Sequence, residues 1–246
     1  MKSSVLKVVF CCALIGCVVS AVAVFILMSG YQKSEKSYET LRHSVTSGNR
    51  NNASADRGAV NFEELLRINS DTVGWINGAG GKIDYPVVQG NNNRFYLKHL
   101  FNKETGSAGC IFLDSRNAAD FSDKSSVIYG HNMRVGTMFG ALDNYRKPKY
   151  YKQHPIMRLS TPDKEYVINI VAGFTAGGDE STYKIPVGSN IETSEYIRWA
   201  QTRSQFKSSS EVTAADHLVT FVTCAYDYSD ARFILVGAYK QSTTKK

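Results

Sequence analysis

Cysteine is scarce in this sequence, and no Cys-x-x-Cys pair occurs. Of five cysteines in 246 residues, three lie in the apolar N-terminal run, and only Cys110 and Cys224 lie in the part expected to fold. Zinc sites of the usual spacing are therefore excluded, and two thiols are too few for a disulfide framework. A single Cys110–Cys224 bridge stays an alternative, because its geometry cannot be read from sequence.

Nucleic-acid-binding motifs, internal repeats and metal-binding acidic clusters are also missing. The formal charge of +7 comes from 29 basic and 22 acidic residues. Some of the basic excess lies in the terminal segments, where charge beside a membrane more often serves topology or attraction to anionic polymers. We therefore expect no nucleic-acid partner, and the sequence predicts neither a metal nor a cofactor.

Charged residues are absent from residues 8–29, a length that spans a bilayer. A cleavable signal peptide is the main alternative, because Ala21-Val22-Ala23 is a small-x-small site. The apolar run continues past that site to Met28, which favours a retained anchor. Leu14-Ile15-Gly16-Cys17 matches a lipoprotein processing box, but the residues that follow stay apolar. Residues 1–30 are therefore predicted to be a short tip and a transmembrane anchor.

Residues 31–60 are rich in Ser, Asn, Lys, Glu and Gly and show almost no apolar periodicity. Such a composition predicts a tether, which would begin with a few helical turns through Tyr38 and Leu41. The remaining residues, 61–246, are long enough for one domain of ordinary size. The sequence therefore predicts an anchor, a tether and a single folded domain.

Apolar, β-branched and aromatic runs within that domain alternate with Gly, Pro, Asn and Asp. Eight such runs predict a mostly β fold, a barrel with few helices rather than a doubly wound α/β sheet. The runs are Thr72–Ile76, Tyr85–Val88, Cys110–Leu113, Ser126–Tyr129, Ile156–Leu159, Tyr166–Thr175, Leu218–Thr223 and Phe233–Tyr239. Helical patterns occur at 61–69, with Asn61 as N-cap, at Met138–Tyr145 and at Ile191–Phe206.

Cys224 ends one of these apolar runs, and Arg232 opens the next one eight residues later. If the two runs are neighbouring strands, Cys224 and Arg232 face each other across the turn. The guanidinium could then favour the thiolate or bind a developing oxyanion. The alternatives are an inert core cysteine and a surface arginine.

His131 follows the run Ser126–Tyr129, which breaks at Gly130 and delivers the histidine into a loop. Among the five histidines only His217, at the start of the Cys224 run, competes with it. A thiolate that attacks an amide needs an acid to protonate the leaving amine. Together, Cys224, His131 and Arg232 therefore form a candidate catalytic set.

Three short motifs carry a resemblance to the sortase family, and to class B sortases in particular. They are Tyr129-Gly130-His131-Asn132-Met133, Thr223-Cys224 and Asp230-Ala231-Arg232. The resemblance extends over roughly residues 61–240 and includes Trp75-Ile76, the segments 83–89 and 109–117, and His154-Pro155. Each motif alone is weak, whereas the set in this order is specific.

The resemblance implies an eight-stranded β-barrel with a helix between the sixth and seventh strands. It implies a single-pass membrane protein with a cytoplasmic N-terminus and an extracellular catalytic domain. Cys224 would be the nucleophile, His131 the general acid and then base, and Arg232 the oxyanion donor. The substrate would be a secreted protein with a C-terminal sorting signal, cut after Thr through a thioacyl enzyme. An amine of peptidoglycan precursor, or less often a pilin lysine, would resolve the intermediate.

Substrate contact is predicted for Asn93, Leu97, Tyr183, Thr223 and Tyr226. Loop capping or core packing is the alternative for the first three, and Cys110 is interpreted as a packing residue. A hydrolytic cysteine endopeptidase, a pilin-polymerising sortase and a non-catalytic barrel that binds sorting peptides remain alternative functions.

Overall fold

The computed structural model describes residues 2–45, 60–177, 185–188, 192–213 and 216–240. The helices are α1 (Lys2–Val45), α2 (Phe62–Ile68), α3 (Pro148–Gln153) and α4 (Thr193–Arg203), with 3₁₀ helices at Ala79–Gly81, Phe95–Leu97 and Phe139–Arg146. The strands are β1 (Thr72–Gly78), β2 (Ile83–Val88), β3 (Ile111–Leu113), β4 (Ser125–Tyr129), β5 (Ile156–Ser160), β6 (Glu165–Ala176), β7 (His217–Cys224) and β8 (Arg232–Tyr239).

The eight strands close into a barrel in the order β1-β2-β3-β4-β7-β8-β6-β5, and β5 pairs with β1. β2–β3 and β4–β7 are parallel, and the other neighbours are antiparallel. Closure removes open sheet edges, so the backbone hydrogen bonds of each strand can be satisfied within the barrel. The predicted eight-stranded barrel is confirmed.

Two apolar clusters hold the domain together. The first fills the barrel and includes Phe139 and Phe221, whose rings meet edge to face at 5.9 Å. The second lies between α4 and the outer faces of β6, β7 and β8, where Tyr196, Ile197 and Ala200 are buried. Because both faces of β7 are covered, seven of its eight residues are buried. The barrel end at which β7 finishes is therefore firmly supported.

The helices agree with the predicted patterns, with differences at their ends. Asn61 caps α2, since its side-chain oxygen accepts from the Glu64 backbone N at 3.1 Å. The segment predicted as Met138–Tyr145 is a 3₁₀ helix, Phe139–Arg146. α4 falls between the sixth and seventh strands as expected, and the predicted first residue, Ile191, lies outside the described residues.

The N-terminal helix includes the helical turns predicted through Tyr38 and Leu41, but this part of the predicted tether is packed on the folded domain. α1 does not stop near residue 30 but continues to Val45, and its last third packs on the barrel through Ser34, Tyr38, Leu41 and Val45. These positions are spaced four, three and four residues apart, so they share one helical face. Residues 31–45 are thus part of the packed structure, and residues 46–59 lie outside the described residues.

Candidate active site

Cys224 and Arg232 are direct partners at the end of the β7–β8 ladder. The turn between them is closed by Ala225 N donating to Ala231 O at 2.8 Å. Both side chains are half-buried, so each is held by the barrel and still reachable from solvent. The predicted pairing of these residues across the turn is what the register shows.

The segment around His131 is tied to the segment around Cys224 on both sides. β4 runs parallel to β7, with Tyr129 opposite Val222. One residue further, Thr223 Oγ1 donates to Gly130 O at 2.7 Å. On the far side of the histidine, Asn132 Nδ2 donates to the backbone carbonyl of Cys224 at 2.8 Å. The structure therefore brings His131 to the same end of the barrel as Cys224 and Arg232.

The ring of His131 is held by a backbone carbonyl. Its Nε2 lies 2.7 Å from Leu97 O. A carbonyl only accepts hydrogen bonds, so Nε2 must carry the hydrogen in this contact, both in the neutral ring and in the imidazolium. Nδ1 is then the nitrogen that can take up or release a proton. The contact fixes the tautomer as well as the ring.

Arg232 supplies hydrogen-bond donors beside the thiol. One nitrogen, Nη1, donates to Ala231 O at 3.0 Å. Within the described part of the chain this is the guanidinium's one hydrogen bond, which leaves several N–H groups for an incoming oxygen. A planar fork of N–H donors suits a carboxylate or an oxyanion.

A polar network that was not predicted from the sequence supports this end of the barrel. Arg146 binds both carboxylate oxygens of Asp227, at 2.7 and 3.1 Å, and contacts Asp143 at 3.2 Å. Asp143 in turn accepts from Asn132 Nδ2 at 2.8 Å. The Asp143–Arg146 spacing was visible in sequence, but the partners Asn132 and Asp227 come from loops that only the fold brings together.

Comparisons with known proteins agree with the barrel fold, although no family model matches the chain. Sortase B of Listeria monocytogenes is 31% identical over 178 residues, which cover 72% of each chain. The structure of Clostridium perfringens sortase B superposes with a TM-score of 0.68 at 31% identity, covering 73% of this chain and all of that one. A Staphylococcus aureus sortase B-substrate complex gives a TM-score of 0.67 at 29% identity, covering 74% and 86%.

This chain belongs to the sortase B family. Membership confirms the resemblance drawn from the motifs, and it makes the protein a sortase-type cysteine transpeptidase.

Leu97 and Asn93 lie on the loop beside the histidine. The Leu97 side chain is 37% exposed, while its carbonyl holds His131. Asn93 Oδ1 accepts from Ser115 N at 2.8 Å, so its oxygen caps a loop and its amide nitrogen remains for a ligand. Leu97 therefore borders the site through its contact with His131, and the loop capping given as the alternative for Asn93 is present.

Thr223 and Tyr226 lie on either side of Cys224 in sequence, and they differ in exposure. Thr223 is 2% exposed, and its hydroxyl donates a hydrogen bond to Gly130 O. Both observations favour a positioning role over the predicted contact with substrate. Tyr226 is 59% exposed, and its hydroxyl donates to Asn132 O at 2.7 Å. Its ring is thus held in place at the surface. Tyr183 lies outside the described residues.

His217, the alternative to His131, and Cys110, the other thiol of the domain, both lie away from the site. His217 begins β7 while Cys224 ends it, and its Nδ1 is bonded to Asp123 O at 2.8 Å. The seven residue steps between His217 and Cys224 correspond to roughly 23 Å along the strand, beyond the reach of proton transfer. Cys110 is a free thiol, 1% exposed, and burial raises its pKa to about 12. Its placement agrees with the packing role, and no bridge joins it to Cys224.

Proposed function

We propose that this sortase cleaves the C-terminal sorting signal of secreted proteins after Thr and joins them to an amine of peptidoglycan precursor. The observation that carries the proposal is the pairing of Cys224 with Arg232 at the barrel end that also holds His131. A thiol, a proton carrier and a fixed cationic donor are the three groups that acyl transfer through a thioester requires.

In the first half-reaction, His131 Nδ1 would hold the proton of the Cys224 thiol, and the resulting thiolate would attack the Thr carbonyl carbon. The carbonyl oxygen gains negative charge, which the unoccupied N–H groups of Arg232 would bind. When the tetrahedral intermediate collapses, the C–N bond breaks and His131 gives its Nδ1 proton to the leaving amine. The products are a thioacyl enzyme and the released C-terminal peptide.

In the second half-reaction, the acceptor amine would attack the thioester. His131, now neutral, takes a proton from the amine as the new amide forms and the Cys224 thiolate leaves. Throughout both steps, Nε2 remains bonded to Leu97 O, so the ring does not need to turn. The same nitrogen can therefore serve as acid and then as base.

Substrate contact is assigned to the exposed groups around the thiol. The Leu97 side chain and the ring of Tyr226 are exposed beside the His131 loop, and the amide nitrogen of Asn93 is kept as a proposed contact from sequence. A relative with the same fold, that of S. aureus, has been solved as a complex with substrate, which supports a peptide site in this family. We assign Thr223 to positioning and keep Tyr183 as a proposed contact from sequence.

The N-terminal helix would anchor the enzyme in the cell membrane, with its N-terminus cytoplasmic and the barrel outside. By length and composition, α1 is able to cross a membrane. Eleven of its large apolar side chains between Val9 and Met28 are 52–73% exposed, which suits lipid rather than water. Such an anchor would keep the active site near membrane-bound precursor.

The test is mass spectrometry of the full chain in detergent, mixed with a panel of sorting peptides and a glycine or diaminopimelate-type amine. A thioacyl adduct on Cys224 and an amide-linked product are expected. Cys224→Ala should abolish both, while Cys17→Ala, a cysteine in the apolar part of α1, should change neither. Hydrolysed peptide without amide would contradict transpeptidation, and a Cys224-independent product would contradict the nucleophile.

A further inference from the structure

The packed end of α1 reaches the loops that surround His131. Tyr38, on the buried face of α1, is 2% exposed, and its hydroxyl donates to the backbone carbonyl of Gly109 at 2.6 Å. Gly109 is 71 residues away in sequence and lies two residues before β3, which begins at Ile111. A buried hydroxyl thus joins the anchor helix to the catalytic domain.

Gly109 lies directly against the histidine. Its φ of +59° is a left-handed conformation that glycine adopts without strain. A Cβ built on Gly109 would lie 3.1 Å from His131 Cδ2 and 2.9 Å from Leu97 O. Leu97 O is the carbonyl that holds His131 Nε2. The hydrogen bond from Tyr38 therefore holds the backbone that packs behind the imidazole.

A second route joins the same tyrosine to the other side of the histidine loop. The rings of Tyr38 and Tyr85 meet edge to face at 5.3 Å. The Tyr85 hydroxyl accepts from Met138 N at 3.2 Å, and Met138 forms an isolated bridge with Asn132, the residue after His131. Two independent sets of contacts from α1 thus converge on the two segments that flank the ring.

We propose that Tyr38 is a positioning residue for His131, and that the docked end of α1 completes the active site. The inference rests on the proposed function in one respect, that His131 transfers the proton. In this scheme Tyr38 touches neither the substrate nor the Cys224 thiol, and the thiol that it does contact is the buried one of Cys110. It holds Gly109 and, through Tyr85, the Met138 segment, so that the imidazole stays bonded to Leu97 O and presents Nδ1 to the reacting groups.

The ionisable groups around these contacts must be considered with the histidine. They are Glu35 and Arg42 on α1, Tyr85 on β2, Cys110 before β3, and Cys224 and Arg232 at the ends of β7 and β8. Replacement of Tyr38 by Phe changes the charge of none of them. A changed titration of His131 in that variant would therefore reflect its position rather than a new charge.

The experiment compares Tyr38→Phe with Tyr239→Phe in the full chain in detergent. Tyr239 is a matched control, because it is 1% exposed and its hydroxyl also donates to a backbone carbonyl, that of Phe121 at 3.1 Å, at the His217 end of the barrel. For Tyr38→Phe we expect kcat to fall about three- to tenfold with KM unchanged, and the histidine limb of the pH profile to move. Tyr239→Phe should keep both wild-type values.

A second readout needs no substrate. The ¹³Cε1 resonance of His131 in histidine-labelled protein, assigned with His131→Ala, should shift and titrate with a different midpoint in Tyr38→Phe only. If the wild-type chain processes no peptide, the proposed function fails, but this resonance still decides the role of Tyr38. Should Tyr38→Phe not fold, Tyr85→Phe, which removes the acceptor for Met138 N, is measured instead. An unchanged resonance and pH profile, or equal changes in Tyr239→Phe, would overturn the inference.

Discussion

The side-chain amide of Asn132 donates hydrogen bonds to the carbonyl of Cys224 and to Asp143 Oδ2, each at 2.8 Å. Asn132 is adjacent to His131 and only 7% exposed. A single buried amide thus sets the spacing between the thiol-bearing strand end and the histidine loop. The distance between the Cys224 thiol and the His131 ring therefore depends on Asn132, which has no chemical role in the proposed reaction.

Asn132→Ala should reduce kcat/KM about tenfold or more, because the Cys224 carbonyl and the Asp143 carboxylate both lose a buried donor. The measurement is steady-state kinetics with the sorting peptide found by mass spectrometry. Asn144→Ala is the control, since its amide donates to Ala141 O at 3.1 Å in the neighbouring 3₁₀ helix. Equal losses in the two variants would contradict a specific role for Asn132.

Thr223→Val should lower the free energy of unfolding by about 1 kcal/mol, because the isosteric change leaves Gly130 O without its buried donor. It should also lower kcat, since this bond ties the segment before Cys224 to the segment before His131. Thermal unfolding and kinetics measure the two effects. Thr72→Val, which removes a 2.6 Å bond from a buried hydroxyl to Asn69 O, should lower stability alone.

Arg146→Lys should slow turnover several-fold while changing the free energy of unfolding by less than about 1 kcal/mol, because Lys cannot replace the two-point contact with Asp227. Asp227 lies in the turn between Cys224 and Arg232, so a loosened turn would alter how Arg232 is presented. Arg67→Lys is the matched control, as Arg67 makes a similar two-point contact with Glu64 on α2. If Arg146→Lys kept wild-type kinetics, the contacts of Arg146 would have no role in positioning Arg232.

The ends of all eight strands could be predicted to within two residues from the sequence. Runs of β-branched and aromatic residues bounded by Gly, Pro, Asn and Asp specify a strand locally, and β7 and β8 are clear examples. The pairing of Cys224 with Arg232 followed from the same signal, because a short turn between two strands leaves few registers. Local patterns were therefore enough for the barrel and for two of the three candidate catalytic positions.

The contacts of α1 could not be predicted in the same way. Tyr38, Leu41 and Val45 lie on one helical face, but residues 31–45 are otherwise polar, and the composition indicated a tether. The surface that buries this helical face is formed by Tyr85, Gly109 and their neighbours, which are remote from α1 in sequence. The burial of Thr223 could have been anticipated from the nearly continuous apolar run of β7, because a strand that is covered on both faces buries successive side chains.

Cys110 and Cys224 should differ sharply in reactivity towards iodoacetamide. Burial raises the pKa of Cys110 to about 12, and a raised thiol pKa means that the thiolate forms only as the pH approaches that value. At pH 8 roughly one molecule in ten thousand would carry the Cys110 thiolate, and its 1% exposure further blocks the reagent. Cys224 is half-buried and should react in the folded enzyme. Mass spectrometry of tryptic peptides distinguishes the two sites, and urea should equalise them. Labelling of Cys110 in the folded chain at the rate of Cys224 would contradict its buried placement.

Arg232→Lys should lower kcat by about a hundredfold or more while leaving thiol alkylation of Cys224 intact, because a lysine offers a single ammonium where the guanidinium offers a planar set of donors to the oxyanion. Single-turnover formation of the thioacyl adduct, followed by mass, separates this loss from a defect in the acceptor step. Arg158→Lys on the exposed face of β5, a strand that does not neighbour β7, should leave the rate unchanged. If Arg232→Lys formed the adduct at the wild-type rate, the guanidinium would have no part in stabilising the oxyanion, and backbone N–H groups near Cys224 would have to supply the donors instead.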